Sequence, residues 1–195
     1  MFGNSGVEIA QYQVIERNSE KNIELRHYEQ IILVSAPMQA DMDASKNAPF
    51  SKLFDYISGN NTRSTAIAMT APVLLSDEES KGAKIPMTAP VFMEAEDELG
   101  AMSFVMPASF TLDKTPKPKD PDLQLKEIKD ITYAVIQFNG LLNSKNIQKH
   151  RKILNDWINT RGLEITGRYK AAGYNPPFTI PAFRRNEVLI PVKPL

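Results

Sequence analysis

Residues 68–93 read AMTAPVLLSDEESKGAKIPMTAPVFM, and the pentapeptide Met-Thr-Ala-Pro-Val occurs in it twice, at positions 69–73 and 87–91. Neither copy reads as a helix. Pro72 and Pro90 each remove a backbone donor and push the preceding Ala into an extended conformation, while the neighbouring Thr and Val favour a pleated backbone. Two extended segments are predicted, joined across the polar, turn-forming run 76–82. A strand bearing Pro belongs at a sheet edge or beside a pocket, because a central position would leave a ladder acceptor unpaired. The motif holds no strong acid, base or nucleophile, so its chemistry suits packing around something apolar. A local duplication that lengthened a hairpin accounts for the repeat equally well.

On the N-terminal side, 12–16 is a short strand candidate and 17–22 a polar turn. Residues 23–38 (IELRHYEQIILVSAPM) begin in alternation and become continuously apolar at 31–34, which predicts a long strand bulged near Glu29. Pro49 stands where a first-turn proline would. Phe50, Leu53, Phe54 and Ile57 follow at helical spacing and Gly59 stops the run, giving a first amphipathic helix. On the C-terminal side, 102–106 is a strand and 112–122, with three prolines in six positions, an extended connector. Residues 123–138 form a strand pair or one bent strand. A second helix spans 145–160, with Ile147, Leu154, Trp157 and Ile158 on one face, Ser144 as cap and Gly162 as stop. The strand 187–192 closes the chain.

The two halves resemble each other. A shift of 100 positions lays Ile23, Leu25, Arg26, Ile31 and Leu33 over Leu123, Leu125, Lys126, Ile131 and Tyr133, and a shift of 101 lays Leu53, Asp55, Tyr56 and Ile57 over Leu154, Asp156, Trp157 and Ile158. A near-constant offset across strand and helix predicts pseudo-repeats at about 12–93 and 123–192, related by an approximate twofold. Each repeat places a helix against its half of one antiparallel sheet system, and a groove between helix and curved sheet is the natural ligand site.

The 195 residues suit a single domain over 1–195 that buries roughly 70% of its unfolded surface. Lys plus Arg equals Asp plus Glu at 23 each, so no global field draws in nucleic acid or an anionic substrate. Absence of Cys excludes disulfides, thiolate metal sites and a Cys nucleophile. No window approaches the ~18–20 apolar residues of a membrane span, and 1–11 lacks the basic and apolar regions of a secretory signal. A cytoplasmic location is expected, or a periplasmic one if a leader was trimmed.

Several stretches together resemble the SOUL haem-binding family: Gly59-Asn60-Asn61, the run 67–73 with its second copy at 87–91, 103–107 (SFVMP), Pro116 with Pro118, Phe138-Asn139-Gly140, 174–178 (YNPPF) and 184–188 (RRNEV). The doubled Met-Thr-Ala-Pro-Val is similar to the bacterial branch, and Phe178 stands where that family often has Trp. The resemblance implies an α+β fold, a pseudosymmetric distorted antiparallel β-barrel of two strand-helix-strand repeats flanked by two α-helices. It also implies reversible binding of haem or a related porphyrin through an apolar surface. A more distant likeness, to gyrase-inhibitor-like effector-binding domains, rests on a Glu shortly before Ile-Pro in the closing strand, here Glu187 before Ile190-Pro191.

The expected function is therefore that of a haem or tetrapyrrole buffer or carrier that does not process its ligand. The expected groove lies beside the first helix, with Phe50, Phe54, Met69 and Met87 against the ring and Lys52 or Arg63 toward the propionates; core packing for the Met residues and solvation for the two cations are the plainer accounts. No metal ligand is assigned. His27 reads as a polar-rim strand residue, and His150 as a border residue of the second helix for which ligation is the alternative. No catalytic motif is present. The runner-up function is a hydrolase of hydrophobic small molecules that uses Glu187 as base with Tyr174 as partner, against which stands a Glu187 that bonds to backbone and holds the two halves together. A ligand-free interaction module is the third reading.

Overall fold

A computed structural model describes residues 8–39, 47–62, 82–96, 99–176 and 178–194. In chain order the elements are β1 (Glu8–Ile9), β2 (Gln13–Asn18), β3 (Ile23–Gln39), α1 (Asn47–Ser58), β4 (Asn61–Thr62), β5 (Thr88–Ala89), β6 (Val91–Glu96), β7 (Leu99–Val105), β8 (Lys117–Pro118), β9 (Gln124–Phe138), α2 (Ser144–Thr160), β10 (Leu163–Ile165), β11 (Lys170–Gly173), a 3-10 turn (Pro181–Phe183) and β12 (Asn186–Pro194). Six strands close into an antiparallel barrel in the order β3-β7-β6-β11-β12-β9, with β9 returning to β3. With α1 and α2 against its outer surface, the molecule is α+β.

The β3–β9 ladder carries the internal symmetry. Leu25 pairs with Ala134, and the same pair displaced by 100 positions, Leu125 with Val34, is also present. The ladder therefore maps onto itself, and the operation that exchanges β3 with β9 also exchanges their outer neighbours β7 and β12 and the strands β6 and β11 that close the barrel. Residues 123–138 are thus a single strand rather than a pair. The expected irregularity near Glu29 takes a paired form, because Glu29 and Asp130 both drop out of a ladder that otherwise keeps one register. Tyr28 and Ile31 face the same side, as do Ile128 and Ile131, so both strands change phase at this point, with Asp130 at φ 51. A true register shift lies in β2, between Val14 and Glu16.

Two apolar layers result. The larger joins the outward faces of the strands to Leu53, Tyr56 and Ile57 of α1 and Ile147, Leu154, Trp157 and Ile158 of α2. The smaller contains residues of all six barrel strands and none from a helix, among them Tyr28, Phe92, Val105, Tyr133, Ala172 and Leu189; it fills the lumen. Alternation along each strand feeds both layers.

Three local expectations need correction. Asn143, not Ser144, caps α2, its side chain accepting from the Asn146 amide at 3.0 Å, and Ser144 is the first helical residue. Pro49 is the third residue of α1, which begins at Asn47. The second Met-Thr-Ala-Pro-Val does not lie at a sheet edge throughout: Pro90, after a cis bond, separates β5, paired in parallel with β1, from β6, which runs between β7 and β11. The first copy lies outside the described residues.

Candidate ligand-binding face and the buried ion pair

Helix α1 has more apolar residues than its buried face can use. Pro49, Leu53, Tyr56 and Ile57 face the sheet. Phe50 and Phe54, one turn apart, are left outside, with Phe54 48% exposed. Their rings lie 6.2 Å apart and within 12° of parallel, and Phe50 rests edge-on against the buried Phe104 of β7 at 5.3 Å. Solvent-facing phenyl rings held near-parallel on a helix, one of them braced against a barrel strand, form an exposed apolar step, suited to a flat apolar body.

The surroundings of that step are fixed by polar bonds. Tyr56 donates its hydroxyl to the Pro116 carbonyl at 2.7 Å, anchoring the Pro-rich connector to the helix. Lys52 pairs with Asp122 and, at 3.6 Å, with Asp120 of the same connector; the hydrogen bond to Asp122 is the main reason its pKa is raised. Asn61 donates to the carbonyls of Tyr56 (2.7 Å) and Ala83 (2.8 Å) and accepts from the Ala83 amide (2.9 Å). A Cβ on Gly82 would stand 1.6 Å from the Gly59 carbonyl oxygen, so only glycine lets the two backbones meet there. These contacts lock the chain leading into the second Met-Thr-Ala-Pro onto the end of α1, and Met87 in that segment is exposed. Arg63 and Met69 lie outside the described residues.

The lumen has a different chemistry. Glu187 of β12 is fully buried and accepts from both terminal nitrogens of Arg26 (2.9 and 3.0 Å), from Arg185 Nε and Nη2 (3.0 and 2.7 Å) and from the Tyr174 hydroxyl (2.6 Å). Arg26 donates its remaining Nε to Glu24 at 2.7 Å and lies 4.3 Å over the Tyr12 ring, while Arg185 lies 4.1 Å over Tyr174. Burial alone would push the Glu187 carboxyl up, but Arg26, then Arg185 and Tyr174, outweigh it and hold it below the usual carboxylate range. Burial, then the Glu187 charge, pushes Tyr174 well above the usual phenol range. A carboxylate with five donors and a depressed pKa is built as a structural ion pair; a general base needs a free lone pair and a raised pKa. Arg26, Tyr12 and Tyr28 are the members that sequence reasoning missed. Their signal was present in the alternation of Arg26 and Tyr28, which places both on one face of β3.

The two His residues have different surroundings. His27 faces Thr132 Oγ1 at 3.4 Å and Asp130 at 3.6 Å on the polar rim, beside a cleft of about 300 Å3 lined by Tyr12, Gln13, Glu29, Met106 and Phe110 among others. His150 stacks on Phe138, centroids 4.0 Å apart, and its Nδ1 lies 2.7 Å from the Asn146 carbonyl oxygen, so that nitrogen carries the hydrogen. Among the described residues no group of three His, Asp or Glu could hold a metal ion, and no helix is long and apolar enough to cross a membrane.

The sequence matches the model of the family described as SOUL heme-binding protein over residues 7–80 and 75–191. The chain belongs to that family. Among its relatives, "Heme-binding protein 2" of Homo sapiens is 28% identical over 167 residues, covering 85% of this chain and 75% of the relative. "Heme-binding protein 1" of Xenopus laevis is 23% identical over 186 residues, 94% and 91% of the two chains. Solved structures share the SOUL fold more distantly. The EcmrR C-terminal domain superposes with a TM-score of 0.58 at 14% identity, covering 94% of this chain and 99% of that one. A hydrolase from Listeria innocua gives 0.58 at 12%, with 89% and 92% covered. At such identity the fold is what is shared, and no activity transfers with it.

Proposed function

We propose that the chain binds haem or a related tetrapyrrole reversibly on the α1 face and acts as a non-enzymatic buffer or carrier. The observation that carries this is the exposed, near-parallel Phe50 and Phe54 pair, with Phe50 seated on Phe104; the names of the two vertebrate relatives point to the same ligand class. The porphyrin plane lies against these rings with the segment around Met87 along one edge, and Met69 is proposed as a further contact. The propionates stay near water at the Lys52 and Arg63 rim. Burial of a large flat apolar area at ~25 cal/mol per Å2 supplies useful affinity without a bond to iron.

The test is the comparison of hemin with metal-free protoporphyrin by spectral titration. The two should bind within about tenfold of each other, ~1.4 kcal/mol. Strong hemin binding with undetectable protoporphyrin binding would place the affinity in an iron bond and end this reading. Glu187, saturated by its five donors, takes no part in it.

A further inference from the structure

A second exposed apolar surface lies far in sequence from α1. It is built by the loop between β9 and α2 and by the loop between β11 and β12. Phe178 is 87% and Ile180 61% exposed, and Leu141 and Phe183 are exposed as well. The loops are not loose. The Gly140 amide donates to the Pro181 carbonyl at 2.9 Å, Asn139 Nδ2 to the Arg184 carbonyl at 3.0 Å, and Asn186 Nδ2 to the Gly140 carbonyl at 2.9 Å. Within the second loop, Arg184 Nε donates to the Thr179 carbonyl and the Arg185 amide to Asn175 Oδ1, both at 2.7 Å. A loop with its polar groups so bonded holds its apolar side chains outward by construction, where a slack loop would fold them inward.

Along the chain the charge of these two loops is one-sided, while the β2–β3 turn at the same end, joined to β9 where the Gln137 amide donates to the Asn22 carbonyl, carries Glu20, Lys21 and a Glu24 already paired with Arg17 and Arg26. Neither 131–155 nor 165–186, the stretches that contain the two loops, holds an Asp or Glu, although the chain as a whole is neutral. Lys145 and Lys149, exposed and one turn apart, stand at the start of α2 directly after the first loop. Convex apolar tips beside cations fit a fluid anionic interface, which needs no matching shape. A second copy docked by a twofold would set the like-charged lysine edges against each other.

We propose that this end of the barrel docks on an anionic lipid bilayer, with Phe178, Ile180, Phe183 and Leu141 entering the headgroup region and Lys145 and Lys149 meeting the lipid phosphates and carboxylates. The site is independent of the α1 face, so a tetrapyrrole bound there stays accessible while the protein sits on the membrane.

Flotation with vesicles tests it, using the full chain and two compositions, pure phosphatidylcholine and phosphatidylcholine with about one third phosphatidylserine. The chain should float with the anionic vesicles at least about tenfold more than with the neutral ones, and less at high salt. The double variants F178S/F183S and K145E/K149E should each lower that binding about tenfold or more, with hemin titration and circular dichroism unchanged. Equal binding to both compositions overturns the proposal, as does no binding to either or undiminished binding by either double variant. A concentration-dependent dimer that F178S/F183S abolishes, without vesicle binding, assigns the surface to self-association and overturns it as well.

Discussion

Helices α1 and α2 occupy equivalent places on the two pseudo-repeats, and their buried faces agree: Leu53, Tyr56 and Ile57 answer to Leu154, Trp157 and Ile158, all buried. Their outer faces do not agree. The 101-residue offset that matches the buried positions sets Phe50 and Phe54 opposite Arg151 and Asn155. Phe50 meets Phe104, whereas Arg151 lies 4.3 Å over Tyr169. The strands show the same division, since Arg26 is buried against Glu187 while its equivalent Lys126 is exposed. Packing is thus common to both repeats, whereas among the described residues the apolar step and the buried ion pair each occur once. A symmetric scaffold carries an asymmetric site.

The largest expected effect concerns the ion pair that joins the repeats. Glu187→Gln removes the charge shared by the buried Arg26, which keeps only Glu24, and the half-buried Arg185, and should cost about 3–5 kcal/mol in denaturant unfolding. The pH dependence has a definite sign. Because the folded pKa of Glu187 lies below its unfolded value, its stabilisation is complete above about pH 4.3 and is lost as pH falls through the depressed folded value. The variant should lose that part of the acid slope, and an unchanged slope would show that the pair is not what couples the halves.

Next in size are the equivalent core positions. Leu53→Ala and Leu154→Ala should each cost about 2–5 kcal/mol, and the two values should agree within about 1 kcal/mol if the helices pack alike. A large disparity would break the equivalence of the buried faces.

The outer faces should separate cleanly. Phe50→Ala with Phe54→Ala should weaken hemin and protoporphyrin alike by about tenfold or more, while Arg151→Ala with Asn155→Ala should leave both titrations where they were. Weakening by the second pair instead would move the ligand to α2. The smallest effect is at the rim. Asp122→Asn, which frees Lys52 from its nearest partner, should strengthen hemin binding about two- to threefold at low salt, and Lys52→Glu should weaken it by a similar factor, with both effects fading at high salt.

Much of the scaffold was legible in the sequence because it repeats a physical pattern. The 100-residue offset, the alternation of β3 and β9 and the helical spacing at Leu53–Ile57 and Leu154–Ile158 each encode burial, and burial dictated the elements, their order and the near-twofold. The family motifs added the barrel. Boundaries such as Asn143 in place of Ser144 were missed because two cap-forming residues stood side by side, and only the hydrogen bond to the Asn146 amide distinguishes them.

Tertiary structure decided what depends on neighbours distant in the chain. Sequence spacing placed Phe50 and Phe54 on an amphipathic helix but could not say that four other residues would suffice to cover the sheet and leave the rings outside. It named Glu187 as a candidate base without showing that Arg26, 161 positions away, would meet it in the lumen. It also gave Lys52 to a ligand before the Pro-rich connector was known to bring Asp120 and Asp122 beside it. Periodicity records which face of an element is buried; the partner a charge meets, and the apolar surface left over when the core is full, follow from how the elements close on one another.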